Sequence, residues 1–419
     1  MKKNETTRGV SFASHQVVNR RPRVKLLGFW SVLLLGVASC VNLGCGGAAN
    51  PADPPPPQAG PRFTAIASMS SPRSGHTATL LRDGRVLIAG GGNAGANGFQ
   101  TLATAELFDP TSMRSTPTSD LTTARSSHRA IRLLDGRVLI LGGENCGSSR
   151  YSFCFPTSAA EVFDPSTGVF SNTGSMITAR SNFAATLLQD GRVLVAGGWG
   201  GYSAGALSSA EIFDPVTETF SQTGTMTAPR LGAVATTLND GKVLIAGGVQ
   251  FTSGNAPLDT AELFDPATGI FSNTSNMTIA RRVYAASLLP NGKVILAGGN
   301  DASSTLASAE AFDEAGSTFS AVASMTTPRA YHTATQLSDG RILLAGGEID
   351  STFVPDGAQT LLSSAELFDP ASGLFTATAS MQTARSGHTA TLLQSREVLV
   401  AGGRNQSGTL ASVEVFAAK

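Results

Sequence analysis

The chain has 419 residues, of which 30 are acidic and 30 are basic, so its formal net charge is zero and only 14% of its residues are charged. No block of like charges follows the N-terminal segment, which argues against nucleic acid as a partner. Hydrophobic residues make up 41% of the chain, enough for a packed core, and four cysteines are too few for a fold built on disulfides.

The first 39 residues have the form of an export signal. Residues 1–25 are polar and basic, and residues 26–39 form an apolar run that is short for a bilayer span. The run ends in Val37-Ala-Ser-Cys40, which resembles the lipobox of bacterial lipoproteins, where the cysteine is lipidated and becomes the mature N-terminus. An ordinary cleaved signal with an incidental cysteine is the alternative, and Cys45 is a second candidate for lipidation.

A linker rich in proline and glycine follows at residues 40–60. Such a composition does not pack into a core, and its run of four prolines favours an extended conformation. It predicts a tether between a lipid anchor and a folded head at residues 61–419. In sorted bacterial lipoproteins, a valine such as Val41 after the lipidated cysteine is not an inner-membrane retention signal. The resemblance therefore implies the outer membrane, facing the periplasm or the medium.

Seven copies of one pattern fill the predicted head. Each copy closes a short apolar run with two glycines, and the pairs recur roughly every 50 residues. The pairs are Gly90-Gly91, Gly142-Gly143, Gly197-Gly198, Gly247-Gly248, Gly298-Gly299, Gly346-Gly347 and Gly402-Gly403. A repeat of this length and ending is typical of the kelch repeat, which forms one four-stranded blade of a β-propeller.

The third copy shows how one blade is built. Short apolar runs at residues 184–188, 193–196, 210–213 and 219–223 predict four strands, here named a to d. Asp190-Gly191 and Asp214-Pro215 are the turn signals after strands a and c.

The two ends of the array complete each other. The seventh copy lacks strand d, whereas residues 63–67 match the strand d pattern and precede the first copy. We expect this N-terminal strand to close the last blade, since closure removes an exposed sheet edge. The predicted fold is all-β, a seven-bladed kelch-type β-propeller.

Two charged columns recur in every copy. An arginine precedes strand a at Arg73, Arg125, Arg180, Arg230, Arg281, Arg329 and Arg385. A glutamate lies in strand c at Glu106, Glu161, Glu211, Glu262, Glu310, Glu366 and Glu414. Seven arginines around one axis would repel each other unless each were neutralised, so we interpret the columns as a structural framework of ion pairs.

Histidine is the third residue after the arginine in four copies, at His76, His128, His332 and His388. Convergent histidines are potential metal ligands, but the same column also holds Phe183, Ala233 and Tyr284. Hydrogen-bonded core histidines are therefore the favoured interpretation, with no metal.

Cys146 and Cys154 lie in one loop with no neighbouring histidine or cysteine, and they predict a disulfide in an oxidising compartment.

The connections between strands b and c carry nearly all the length variation, from 10 to 18 residues between the glycine pair and the glutamate. Loops on a rigid scaffold are where binding residues concentrate. The candidates are Glu144, Asn145, Arg150, Tyr151, Trp199, Tyr202, Phe251, Asn300, Asp301, Glu348, Asp350, Arg404 and Asn405. The alternative is that these loops are merely solvated.

The sequence of the repeat resembles bacterial kelch-repeat proteins and the central propeller of galactose oxidase-like enzymes. The resemblance is carried by segments such as Arg329-Ala-Tyr-His-Thr-Ala-Thr, Ala-Gly-Gly347 and Ala-Glu-Leu-Phe-Asp-Pro370. The resemblance is specific for the fold and weak for function, since propellers host both enzymes and scaffolds. The anchor, the tether and the loop variation favour a monomeric scaffold that binds a protein or a carbohydrate, without a cofactor. The oxidase resemblance implies a radical-copper oxidase, in which an adjacent pair such as Tyr331-His332 would bind copper. That family also needs a histidine from a further domain and a tyrosine cross-linked to cysteine, for which this sequence shows no convincing match.

Overall fold

The computed structural model of the protein describes residues 60–95, 98–147, 153–250, 256–282, 284–350 and 359–419. The predicted signal peptide, Cys40 and the tether up to residue 59 lie outside these ranges, as do Arg150, Tyr151 and Phe251. Every regular element of the described residues is a β-strand. These residues contain no helix with the length and hydropathy needed to cross a membrane.

Six repeats contribute four blade strands each, the seventh contributes three, and four of the repeats add a hairpin between strands b and c. Strand β1 is Arg62–Ile66, and the first two repeats contain β2 Thr77–Leu80, β3 Val86–Ala89, β4 Gly92–Gly95, β5 Gly98–Thr101, β6 Ala105–Asp109, β7 Arg114–Pro117, β8 Arg129–Arg132, β9 Val138–Leu141, β10 Glu144–Cys146, β11 Cys154–Pro156, β12 Ala160–Asp164 and β13 Val169–Asn172. The third to fifth repeats contain β14 Ala184–Leu187, β15 Val193–Ala196, β16 Ala210–Asp214, β17 Thr219–Gln222, β18 Val234–Thr237, β19 Val243–Ala246, β20 Ala261–Asp265, β21 Ile270–Asn273, β22 Ala285–Leu288, β23 Val294–Ala297, β24 Ala309–Asp313 and β25 Thr318–Ala321. The last two contain β26 Thr333–Gln336, β27 Ile342–Ala345, β28 Glu348–Ile349, β29 Thr360–Leu361, β30 Ala365–Asp369, β31 Leu374–Ala377, β32 Thr389–Leu392, β33 Val398–Ala401, β34 Arg404–Asn405, β35 Gly408–Thr409 and β36 Val413–Ala417.

Seven antiparallel four-stranded sheets form the blades, which confirms the predicted fold. In six blades the strand order follows the chain. The seventh has the order β1-β36-β33-β32, so the N-terminal strand takes the place of strand d. Strand β1 pairs with β36 along its whole length, from Arg62 opposite Ala417 to Ile66 opposite Val413.

The core lies between neighbouring blades. One cluster joins Leu194 and Ile212 of the third blade to Val243 and Phe264 of the fourth. Every residue of the b strands is buried, as in β15 and β19. Burial on both sheet faces explains why these strands are continuous apolar runs and do not alternate with polar residues.

Phenylalanines on strands c and d form the outer part of six blades. The two rings of each pair lie opposite one another, with centroids 4.8–4.9 Å apart. In the first blade Ser115 takes the strand d position opposite Phe108, and its hydroxyl is buried without a hydrogen-bond partner among the described residues. The outer strand of this blade therefore lacks the aromatic contact that the other six have.

The glycine pairs lie where each blade meets the next. In the third repeat φ is 67° at Gly197 and 96° at Gly198, a conformation that glycine adopts at little cost. A Cβ atom on Gly197 would lie 2.5 Å from the Arg230 carbonyl oxygen of the next repeat, and one on Gly198 would lie 2.7 Å from the Ser181 carbonyl oxygen. Backbone conformation and close packing both require glycine here.

The arginine and glutamate columns form seven buried ion pairs with N–O distances of 2.6–2.9 Å. In the third repeat Arg180 Nη2 donates to Glu211 Oε1 at 2.7 Å, and Nη1 donates to the Gly197 carbonyl oxygen at 2.7 Å. The Glu211 carboxylate also accepts the backbone N–H groups of Ile177 and Thr178 at 2.7 and 3.0 Å. Each pair thus fastens the connection that enters its blade.

Candidate functional site

The two faces of the propeller differ in their connections. One face carries the short turns between strands a and b and between strands c and d, in which exposed pairs such as Asp83–Arg85 and Asp190–Arg192 recur. The opposite face carries the b–c loops and is called here the loop face. Four of these loops form hairpins: β4–β5, β10–β11, β28–β29 and β34–β35.

Hydrogen bonds join the loops of the seventh, first and second repeats. The Ala94 N–H donates to Thr409 Oγ1 at 2.9 Å, which links the first loop to the seventh. Thr101 Oγ1 donates to Asn145 Oδ1 at 3.0 Å, which links the first loop to the second. These loops therefore support one another.

A second set of contacts joins the loops of the fifth, sixth and seventh repeats. The Asp350 N–H donates to Thr305 Oγ1 at 3.0 Å, and Asn300 Nδ2 donates to Asp350 Oδ2 at 3.2 Å. Arg404 Nη2 donates to both oxygens of Glu348, at 3.0 and 2.9 Å. Together the two sets connect the loops of the fifth, sixth, seventh, first and second repeats, and the b–c loops of the loop face are called here the rim.

An aromatic cluster stands on the rim between the second and third repeats. The Tyr202 ring packs edge-on against Trp199, with centroids 5.1 Å apart, and against Phe153, with centroids 6.4 Å apart. Tyr202 is 70% exposed, Phe153 63% and Phe155 60%. Trp199 is half-buried beneath them, and its buried Nε1 has no hydrogen-bond partner among the described residues.

Sequence reasoning singled out Trp199 and Tyr202 but missed Phe153 and Phe155. The phenylalanines of the repeat lie in strands c and d, and their side chains pack in the core. Phe153 and Phe155 fall outside those columns, on either side of Cys154. That departure from the repeat is a signal that could have identified them.

Cys146 and Cys154 form a disulfide in the structure. They are paired directly across β10 and β11, so the bond fastens the hairpin that carries Phe153 and Phe155. The Glu144 carboxylate lies near both sulfur atoms. Because the cysteines are bonded to each other, this cluster does not supply thiolate ligands for a metal.

The other predicted loop residues divide into supporting and presenting groups. The sequence predicts that Asn300 and Glu348 contact a ligand, but both are buried. They brace the rim and are not available for binding. The carboxylate of Asp301 and the amide oxygen of Asn405 accept backbone N–H groups two residues further on, and each fixes its own turn. Glu144 accepts long hydrogen bonds from two serine hydroxyls, and burial raises the pKa of its carboxyl group.

A ring of backbone hydrogen bonds surrounds the propeller axis at the loop face. It is built by the second residue after each repeat arginine, and these residues are called here the mouth ring. Its described members are Gly75, Ser127, Asn182, Gly232, Tyr331 and Gly387. The links run from each N–H to a carbonyl oxygen of the preceding blade, at 2.9–3.2 Å in the five bonds described.

Tyr331 is the one bulky residue among the described members of the mouth ring. Its φ is 53°, in the left-handed region that favours glycine, and its side chain is 44% exposed. Burial of part of the ring raises the pKa of its hydroxyl, and the Glu348 carboxylate acts in the same direction.

The histidine column lies between blades. His76, His128 and His388 each share a hydrogen bond of 3.0–3.2 Å with a threonine of the preceding blade, namely Thr389, Thr77 and Thr333. For His332 the residue at the equivalent position of the preceding blade is Ala285, which offers no hydroxyl, and neither ring nitrogen has a partner among the described residues. Burial lowers the pKa of all four, to about 3 for His76 and His388.

The described residues do not fit the copper site that the oxidase resemblance implies. His332 Cε1 lies 2.9 Å from where a Cβ atom on Gly298 would be, and His128 takes the same position over Gly90 at 2.8 Å. The His332 ring is thus directed into the interface between blades, like the other histidines of its column. Tyr331, its neighbour, is directed to the loop face. The pair does not converge, and we derive no chemistry through copper.

Comparisons with known proteins agree with the assignment of the repeat as a kelch motif. The family model of the Kelch motif matches residues 180–227 and 281–326. A search of curated proteins finds no match. Among solved structures, one that is similar is a novel fungal alcohol oxidase with catalytic diversity among the AA5 family, in complex with copper. It has a TM-score of 0.68 at 17% identity, over 85% of this chain and 76% of that chain. At this identity the likeness shows the fold alone.

Proposed function

We propose that this seven-bladed kelch-repeat propeller is a binding scaffold that holds a protein partner on its loop face. The observation that carries the proposal is the exposed aromatic cluster in which Phe153 packs against Tyr202, with Phe155 exposed two residues further along the same hairpin. Fold alone does not settle function, because propellers host both enzymes and scaffolds. The proposal therefore depends on the site.

The composition of the cluster favours a protein partner. Large aromatic residues are enriched at the energetic centres of protein interfaces, where they combine a large apolar area with few rotatable bonds. Three of them together on a surface are the kind of apolar patch that marks an interaction site. Trp199 supports the cluster from below and fixes Tyr202 by edge-on packing.

The rim also lowers the entropic cost of binding. Ordering a free loop on association costs part of the interaction energy, whereas a loop that is already fixed costs little. The Cys146–Cys154 disulfide and the Thr101–Asn145 hydrogen bond fix the hairpin that bears the two phenylalanines before any partner arrives.

We also propose that the propeller acts outside the cytoplasm, attached to the outer membrane by lipid on Cys40. The support is the leader at residues 1–39, its lipobox-like end and the tether at residues 40–60. The Cys146–Cys154 disulfide is consistent with an oxidising compartment.

The test is site-specific photo-crosslinking in the native cell. A benzoylphenylalanine at position 202 places the reactive group in the aromatic cluster. The same group at Val216, which is 89% exposed on a turn of the opposite face, is the matched control. We expect discrete protein adducts from position 202 and none from position 216. In a second step, Phe155→Ser should reduce the adduct at position 202 by at least about fivefold, because truncating an aromatic residue that anchors an interface costs more than ~1 kcal/mol.

Equal labelling from both positions, or no protein adduct at position 202, would contradict a protein partner at this face. If position 202 gives no adduct while glycan binding depends on Tyr202, the scaffold binds a carbohydrate instead. Both ligand classes use exposed aromatic rings, so this experiment separates them by the product that is captured.

A further inference from the structure

The seven a strands enclose a solvent-accessible axial channel. Strands β2, β8, β14, β18, β22, β26 and β32 each contact the next, and β32 contacts β2, so the ring is closed. All residues of β2 are half-buried, whereas all residues of its outer neighbour β3 are buried. An innermost strand is more exposed than the strand outside it only if water reaches it from the axis, as in propellers built around a central channel.

The channel lining is small and polar. The second residue of every a strand is an alanine that packs against a core cluster between blades and adds no bulk to the strand: Ala78, Ala130, Ala185, Ala235, Ala286, Ala334 and Ala390. The third is a hydroxyl residue in six of seven strands: Thr79, Thr186, Thr236, Ser287, Thr335 and Thr391. No a strand contains an aspartate or a glutamate. The lining therefore offers hydrogen-bond donors without negative charge.

Arg129 breaks this pattern. It is the first residue of β8, where the other six a strands have threonine, alanine or valine. Among the described residues Arg129 makes no hydrogen bond and no ion pair, although it lies on the innermost strand. The residue at the facing position of the next blade, by analogy with the Thr77–His128 contact, is Phe183, which offers no acceptor.

The contrast with the neighbouring repeat arginine is direct. Burial lowers the pKa of the Arg125 guanidinium, and the Glu161 carboxylate opposes that effect. Burial also lowers the pKa of Arg129, and no carboxylate opposes it. A partly desolvated guanidinium without a counter-ion is costly unless an anion or water occupies the space beside it.

The mouth ring lies at the loop-face end of the a strands, where Arg129 is the first residue of β8. Ser127, a member of that ring, precedes Arg129 by two residues in the chain. A Cβ atom on Gly232 or on Gly387 of the ring would have no other atom within 4 Å, so there is free space beside these two members. A small molecule that enters from the loop face meets Arg129 at the first position of the a strands.

We propose that the axial channel binds a small oxyanion, a carboxylate or a phosphate group, with Arg129 as its cationic ligand. The planar guanidinium of arginine suits two-point pairing with either group, and the threonine hydroxyls of the lining are suitable further donors. The site is independent of the aromatic cluster, because it involves different residues on a different part of the loop face.

The experiment uses the full chain with inorganic phosphate and citrate as probes, at constant ionic strength so that screening does not change. Binding is measured by isothermal titration calorimetry and by the rise in melting temperature at about 10 mM probe, since a ligand of the folded state raises stability. The variant is Arg129→Thr, which places at this position the residue that three other blades already have. Arg132→Thr, at the far end of the same strand, is the matched control.

We expect the parent protein and Arg132→Thr to bind at least one probe, and Arg129→Thr to bind it at least tenfold more weakly. Without probe, Arg129→Thr should melt at the same or a higher temperature, because it removes an unpaired charge. Equal binding by Arg129→Thr, or no binding of either probe to the parent protein, would overturn the proposal. Preference for citrate or for phosphate identifies the class of anion. A Phe155→Ser variant should bind the probe as the parent does, so failure of the rim proposal would leave this result unchanged.

Discussion

The buried ion pairs predict a large and localised cost for Glu211→Ala. The substitution removes the carboxylate that Arg180 Nη2 contacts at 2.7 Å and that two backbone N–H groups use as their acceptor. Arg180 and Glu211 side chains are 0% and 1% exposed, so the remaining guanidinium is not resolvated. Removing one partner of a buried pair costs about 3–5 kcal/mol.

The expected change in melting temperature follows from the size of the propeller. A folded unit of ~360 residues has an unfolding entropy of about 0.75 kcal/mol/K, so a loss of ~4 kcal/mol lowers the melting temperature by roughly 5 °C. Calorimetry measures this shift, and hydrogen exchange should show faster exchange of the Ile177 and Thr178 amides.

Asp190→Ala in the same blade is the control. It breaks the Asp190–Arg192 pair, whose side chains are 46% and 39% exposed, and exposed pairs contribute about 0–1 kcal/mol. A Glu211→Ala shift no larger than that of Asp190→Ala would refute the view that the pairs hold the blade connections in place.

Two further predictions concern the column residues. Burial lowers the pKa of His76 and of His388 to about 3 in the folded state, whereas the pKa of histidine in the unfolded chain is ~6.5. Below pH ~6.5 the unfolded chain therefore binds protons that the folded state does not bind. The stability that depends on these neutral histidines is therefore complete above pH ~6.5, and it falls towards pH 3 by about 1.4 kcal/mol per pH unit for each histidine. The double variant His76→Gln/His388→Gln should reduce the pH dependence of the melting temperature. An unchanged slope of melting temperature against pH would contradict this. Tyr331→Gly should leave the free energy of unfolding in denaturant unchanged or raise it by up to ~1 kcal/mol. The reason is that Tyr331 has a left-handed φ of 53°, and three other members of the mouth ring with a left-handed φ are glycines. A clear loss of stability would show that the tyrosine ring contributes to packing.

The repeat made most of the fold predictable. A glycine pair recurs at the same step of all seven copies and an Asp-Gly turn at the same step of five, so weak local signals reinforce one another. The closing strand was predictable because residues 63–67 match the one strand that the seventh copy lacks. The structure begins and ends this strand one residue earlier, at Arg62 and Ile66, which is within the fraying expected at strand ends.

The site was less predictable because it is made of departures from the repeat. Loop length indicated the correct face to examine, but the cross-loop bonds of Thr101 and Arg404 depend on side chains brought together from different repeats. The sequence therefore predicts that Glu348 binds a ligand, whereas the structure shows it buried beneath Arg404. The partner of each histidine was visible in principle, since threonine stands first in strand a of the blade that precedes His76, His128 and His388 but not His332.

The closure of the seventh blade also constrains when that blade can be completed. Strand β1 is the first strand of the propeller in the chain and β36 is the last, so the contact of Phe63 with Phe416 closes a loop that contains nearly the whole propeller. Such a contact carries the largest loop-closure entropy of the fold and cannot form before the final repeat has been made. Six blades are able to assemble from neighbouring segments, whereas the seventh must wait. Until it forms, β1 and β36 each present an unpaired edge, and such edges are places where incomplete chains can associate.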